Sequence, residues 1–470
     1  MKRFVLTTAF ALALSGVQYG QTLGFEAKIA HVGGGVRWSQ CAFGPDGVLH
    51  VVFEEDTDGP GHPIWHVAFD GTKATDPFNV TNSMVIRGER PHVATSARGH
   101  VAVVWGVGPE KGVYMRLFDP RSKSWSPVES VKIGFGGWEP HCAVDADGNV
   151  FVSFYSEEEG RAYARCKING VWEDTYRLSS GFGKSCRIAI GPNGVVWALW
   201  REKGVSAYKN YYSKRTKSTP WSAAQIVTTG GASSAHPHLT VGPDNVAVAA
   251  WGDVDPSVSG AEVRIIKIET GSPREIALPP YAYHFPRVAV DAKGVIHVAV
   301  QIGAGDYGDG LHYTHNAKGT WSGPQTIAAT WPKLPGITAD PFGNVAVCQS
   351  SFNFAIGGSD VWVYSIAKIE PRVFHVPLNP ALGISVLRLR RNPEIQYTLS
   401  WSPNPQNKSE QIQGYNLYMK TGSGEYVSLT TVPASTLSTT LMFRDLNQRR
   451  AFAVATVGLG GVESDKVFFQ

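Results

Sequence analysis

The chain has 470 residues, 17% of them charged, and a formal net charge of +4. That length allows two or more domains, and so small a charge excess gives no footing for nucleic-acid binding. With 51 Gly and 14 Trp against few charges, the composition suits an all-β protein rich in turns and flat packing surfaces.

Residues 1–20 read as an export signal: basic Lys2 and Arg3, an apolar run from Phe4 to Leu14, then Ser15, Gly16 and Gly20. The run is too short to anchor in a bilayer. The mature chain is therefore expected to be secreted or periplasmic, with no transmembrane segment.

From residue 24 one unit recurs seven times. A short apolar strand meets a tight turn at Gly47, Gly99, Gly148, Gly194, Asn245, Gly294 and Gly343, and a second apolar strand follows. Six residues past the turn stand Phe53, Trp105, Phe154, Trp200, Trp251, Val300 and Gln349, expected to pack between neighbouring units. All-β units at a period near 50 predict a seven-bladed β-propeller over 24–377. Phe25 to Val32 is expected to supply the outermost strand of the last blade, in preference to Arg372 to Val376, because shared chain ends leave fewer open edges. The five cysteines include no metal-ligand spacing, and Cys41 and Cys142 fill a repeated core slot as buried thiols. No metal site is expected, a metal held by His92, His141 and His238 being the weaker reading, and the sequence names no cofactor.

After Pro377 the repeat stops. Leu378 to Gly383 reads as a linker. The segments Gln396–Ser402, Ile412–Tyr418 and Ala451–Val457, with Trp401 and Tyr415 as core aromatics, resemble a fibronectin type III domain, an immunoglobulin-like sandwich, over 384–470. Such domains imply a spacer or a contact with cell-surface components.

The outer turns of four repeats carry a second echo: Ser124-Trp125-Ser126, Gly170-Val171-Trp172, Pro220-Trp221-Ser222 and Gly319-Thr320-Trp321-Ser322. Here the chain resembles the sialidase-like propellers built on bacterial neuraminidase repeats, whose Asp-box ends in Gly-x-Thr-Trp. The resemblance covers residues 24–377 and implies the propeller fold.

The first strand of each blade should line the central channel. The residue opening it is Gln40, His92, His141, Arg187, His238, Arg287 or Gly336. Symmetry gathers these into one funnel, joined by Glu54, Tyr155 and Arg201 from the second strands and Trp138 and Trp331 from adjoining loops. Arginine forks match carboxylates and aromatic faces match sugar rings, so the partner expected is an acidic polysaccharide or glycoconjugate. Whether the chain is also an enzyme stays open. Propeller polysaccharide lyases, ulvan lyases among them, look similar in using His, Tyr and Arg. That likeness implies catalytic roles for His141, Tyr155, Arg187 and His92 on a uronate. A sialidase-type glycosidase fits less well, because the Phe/Tyr-Arg-Ile-Pro signature is missing and Val36-Arg37-Trp38 only echoes it. A non-catalytic adhesion or scaffold role is the remaining alternative.

Overall fold

The computed structural model describes residues 23–469 apart from 58–61, 82–87, 108–111, 133–136, 228–232, 255–259, 272–273, 282, 304–309, 328–332, 354, 371, 373, 388–393, 446–447 and 459–462. The expected signal (1–20) and Trp331 lie outside the described residues.

Alternating apolar runs and Gly or Asn turns build seven antiparallel sheets, each in chain order from its innermost strand outward. The innermost strands are Gly35–Phe43, Glu89–Thr95, Gly137–Val144, Gly183–Ile190, Ser233–Val241, Tyr283–Val290 and Lys333–Ala339, hereafter sheets one to seven. Each touches the next, and the seventh touches the first, so the sheets close a ring. The N-terminal strand Phe25–Val32 completes sheet seven by pairing with Ser359–Ser365. His31 Nδ1 meets Asp360 Oδ1 there at 2.7 Å.

The repeated turns follow from Asx chemistry. Asp145, Asp291 and Asp340 each accept, on Oδ1, the backbone N–H groups two and four residues on. The left-handed residue that completes the turn is Gly, or Asn245 at φ 67°.

Seven apolar clusters fill the seven gaps between neighbouring sheets. The recurring aromatics Phe53, Trp105, Phe154, Trp200 and Trp251 are wholly buried in them. All five cysteines are free and buried. Burial, ahead of any neighbour, pushes the Cys142 and Cys186 thiols up and keeps them protonated.

The C-terminal region forms two further sheets around Tyr397, Leu399, Trp401, Tyr415, Leu417, Phe452 and Val454. One expectation is corrected. Residues 378–383 are not a linker but the start of strand Leu378–Leu387, which pairs with Glu394–Ser402. Its register shifts between Leu378 and Ala381, which accommodates Pro380 within a strand. The connection is shorter and tied at both ends. Arg372 N–H donates to Asp46 O at 2.5 Å, and Thr456 Oγ1 donates to His375 O at 2.9 Å.

Sheets seven and one approach each other closely. A Cβ on Gly336 would lie 2.9 Å from Gln40 Cα, 3.0 Å from Cys41 N and 2.9 Å from Cys348 Sγ. Backbone cannot yield as a side chain can, so Gly336→Ala is expected to cost about 1–3 kcal/mol in denaturant unfolding. Gly323→Ala, with nothing within 4 Å of the added atom, should stay within about 0.5 kcal/mol.

Candidate functional site

Each innermost strand breaks register at the same place. Residues 38–39, 90–91, 139–140, 185–186, 236–237, 285–286 and 334–335 set two residues against one on the second strand. The single residue opposite is the recurring Phe53, Trp105, Phe154, Trp200, Trp251, Val300 or Gln349. The first member of every pair is a non-glycine in the left-handed region: Trp38, Arg90, Glu139, Ser185, His236, Phe285 and Leu334. Such residues cost on the order of 1 kcal/mol or more each and persist where their surroundings demand them. A bulge re-aims side chains. Here it brings a second tier to the mouth, above the expected ring.

The two tiers meet in one narrow pocket of about 20 Å³, lined by Trp38, Gln40, Arg90, His92, Glu139, His141, Arg187 and Arg287. His238 adjoins it, its ring 5.6 Å from that of His141. Gly336 contributes no side chain. Arg90 lies between two indoles, its Cζ 4.9 Å from the Trp38 ring centre and 4.4 Å from that of Trp138. Its Nη1 donates to Glu139 Oε1 at 3.1 Å, and Arg187 Nη2 is 3.5 Å from Glu139 Oε2.

The histidines clasp neighbouring sheets. Nδ1 of His92 accepts from Cys142 N–H at 3.2 Å, and Nδ1 of His238 accepts from Val288 N–H at 3.2 Å. In the neutral ring that places the proton on Nε2. His141 differs: its Nδ1 is 3.1 Å from Ile188 O and 3.4 Å from Ile188 N. The shorter contact makes Nδ1 the donor and leaves Nε2 a lone pair, which is buried without a partner. Burial is the main cause, and the Arg187 charge an added one, that holds all three far below the usual histidine range. They are neutral at pH 7. The outward nitrogen of His92 thus carries a hydrogen, so in its neutral form this ring can donate but not take up a proton there.

Burial raises Glu139, but Arg187 and Arg90, with smaller contributions from His236 and Arg201, outweigh it and hold the carboxyl at about 2. Burial and then the Arg187 charge pull Arg287 down to about 9. Among the described residues Arg287 donates only to Pro286 O, at 3.3 Å, and its Nε is buried without a partner. Burial, then the Glu139 charge, pushes the Tyr155 phenol up, leaving a hydroxyl donor beside Arg90.

Gln40, His92, His141, Arg187 and Arg287 thus share one pocket, with Trp138, Tyr155, Arg201 and His238 around it. Glu54 does not join them. Its Oε2 accepts Arg90 N–H at 3.0 Å and its Oε1 faces His62 Nδ1 at 3.4 Å, so it braces the neighbouring bulge. Gln301 does the same for Leu334 N–H at 3.1 Å. Arg90 and Glu139 reach the mouth only because a bulge breaks the alternation of their strands, so a strictly alternating reading of the strands misses them. A signal was present: Pro91, Pro140, Pro237, Pro286 and Pro335 recur inside an innermost strand, where only a bulge tolerates them.

The opposite mouth of the channel is far wider, about 1050 Å³, and is lined by the repeated turns, among them Ser96, Asp145, Asn193, Asp291 and Asp340. Those aspartates are occupied by their own turn N–H groups.

No family model matches the chain, and no curated protein matches it in sequence. Several solved structures are similar in fold. A fungal alcohol oxidase in complex with copper is 13% identical over 95% of this chain and 98% of its own, with a TM-score of 0.48. An α-L-arabinofuranosidase from Fusarium graminearum in complex with an iminosugar inhibitor is 11% identical over 57% of this chain and 88% of its own, with a TM-score of 0.42. A Hadza microbial sialidase is 9% identical over 71% of this chain and 66% of its own, also at 0.42. At these scores the likeness carries no argument about ligand or reaction.

The Glu139 carboxyl titrates below its ordinary 4.5, so its contribution to stability is complete above pH 4.5 and is lost as pH falls toward about 2. Glu139→Gln should cost about 3 kcal/mol at pH 7, because the guanidiniums lose their one shared counter-charge. The variant's urea midpoint should also fall less between those two pH values than the wild type's. Equal acid limbs would show that Glu139 is not the group titrating.

Proposed function

We propose that the ring is a seven-bladed β-propeller exported with a C-terminal fibronectin type III domain, and that its narrow mouth binds the carboxylate of an acidic carbohydrate. One observation carries this reading. Arg187 and Arg287, 4% and 2% exposed, sit within reach of each other's charge, with Glu139 their only close counter-charge among the described residues. Buried charges without partners are costly, and an anion at this point relieves both. The His92 and His238 Nε2–H groups add neutral donors to the same wall. The mouth is too small for a sugar ring. A carboxylate enters, and the ring stays outside, near Trp38 and Trp138.

A lyase is the second reading, favoured by the lone pair on His141 Nε2. With Arg187 and Arg287 neutralising the carboxylate, the proton at C5 of a uronate becomes removable. His141 would take it, Tyr155 would protonate the departing glycosidic oxygen at C4, and a C4–C5 double bond would remain.

The test is affinity electrophoresis in polygalacturonate, alginate and dextran. The wild type should be retarded by the acidic polymers alone. Arg287→Gln should weaken that retardation by about tenfold or more; wild-type retardation in the variant would remove the carboxylate from this pocket. Growth of unsaturated-uronate absorbance, lost in His141→Ala while retardation persists, would establish the lyase.

A further inference from the structure

We propose that the binding surface continues outward from the mouth onto sheet four, where Phe182, Lys184 and Tyr208 form a second subsite, and that the occupant is a polyanionic chain of at least two sugar residues. This rests on the carboxylate reading above and adds the length and charge pattern of the ligand.

Arg201 joins the two places. On one side it lies within the electrostatic reach of Glu139 and Arg187. On the other its Cζ is 4.9 Å from the Tyr208 ring centre. Its Nη1 is spent on Ser234 O at 3.3 Å, while Nε is buried without a partner. Next to it in the sheet is Lys184. The Lys184 ammonium stands 5.1 Å from the Tyr208 ring and 5.8 Å from the Phe182 ring. Among the described residues no carboxylate pairs with Lys184 or Arg201. Glu202, the nearest candidate in sequence, is engaged by Ser180 Oγ at 2.8 Å, Gly181 N–H and Trp200 Nε1.

The platform is held in place before any ligand arrives. Phe182 O accepts Lys203 N–H at 2.8 Å, and the Phe182 ring lies over Gly160, where an added Cβ would fall 2.6 Å from ring carbon Cδ2. Phe182 nevertheless keeps 42% of its surface in solvent. An exposed, fixed aromatic face beside an unpaired ammonium suits a sugar ring that carries its own anion. A second uronate, linked to the one whose carboxylate enters the mouth, has that chemistry.

Calorimetric titration with galacturonic acid, trigalacturonic acid and maltotriose separates the outcomes. The wild type should bind the acidic trimer about tenfold or more tighter than the monomer, by linkage of two contacts, and maltotriose not at all. The Lys184→Gln/Tyr208→Ala double variant should bring trimer affinity down to the monomer's and leave monomer affinity unchanged. Tyr208→Phe should keep the trimer preference, since the face is retained. Wild-type monomer binding with no gain for the trimer, or a double variant that holds the trimer as tightly, overturns the second subsite alone. Maltotriose bound as tightly as the acidic trimer overturns the polyanion assignment. Absence of binding by either uronate overturns the carboxylate reading and this one with it.

Discussion

The mouth exists because every innermost strand carries one residue more than the strand beside it can match. A regular ladder would send the residue at each bulge back into the space between sheets. The extra residue, held left-handed over a large buried side chain such as Trp105 or Phe154, instead turns outward from the packing layer. Strain, packing and site are one device: the aromatics that cement the sheets also underlie the bulges that point Trp38, Arg90 and Glu139 at the axis. Repeating that device seven times is what brings residues about fifty positions apart in the chain into contact.

The electrostatics of the mouth follow from how little water reaches it. In a poorly solvated wall imidazoles are cheaper neutral than charged, and three of them serve as backbone clasps between sheets. Guanidiniums cannot discharge so readily. Arg187, Arg287 and Arg90 therefore crowd around one carboxylate among the described residues, Glu139, in a space about the size of a water molecule. The surplus is positive, local and poorly screened, which is the condition under which a fixed anion gains most.

Much of the ring was legible in the sequence, because turn chemistry and hydrophobic period are local. Gly47, Gly148 and Asn245 mark turns that any reader of Asx and left-handed preferences would place, and the even spacing of Phe53 to Trp251 implies equal sheets. The gathering of Gln40, His92, His141, Arg187 and Arg287 followed from symmetry alone. The second tier was hidden because alternation along a strand holds only while registers match, and one extra residue reverses it. Glu54 was misjudged for a related reason: its side chain answers a backbone N–H freed by a bulge in another sheet, a need invisible until the bulge is known. The strand at Leu378 was read as a linker because Pro380 and Gly383 look like punctuation, whereas a shift in pairing absorbs the proline.

The pairing of Phe25–Val32 with Ser359–Ser365 has a temporal consequence. Atoms 329 positions apart, in His31 and Asp360, meet across that seam, so the strand Phe25–Val32 has no partner until the last sheet of the ring has formed. Until then both strands present bare edges, and loop closure over such a span is slow. Conditions that hasten the last sheet's arrival should therefore raise the share of this protein that reaches its folded state rather than a tangle of cross-paired chains.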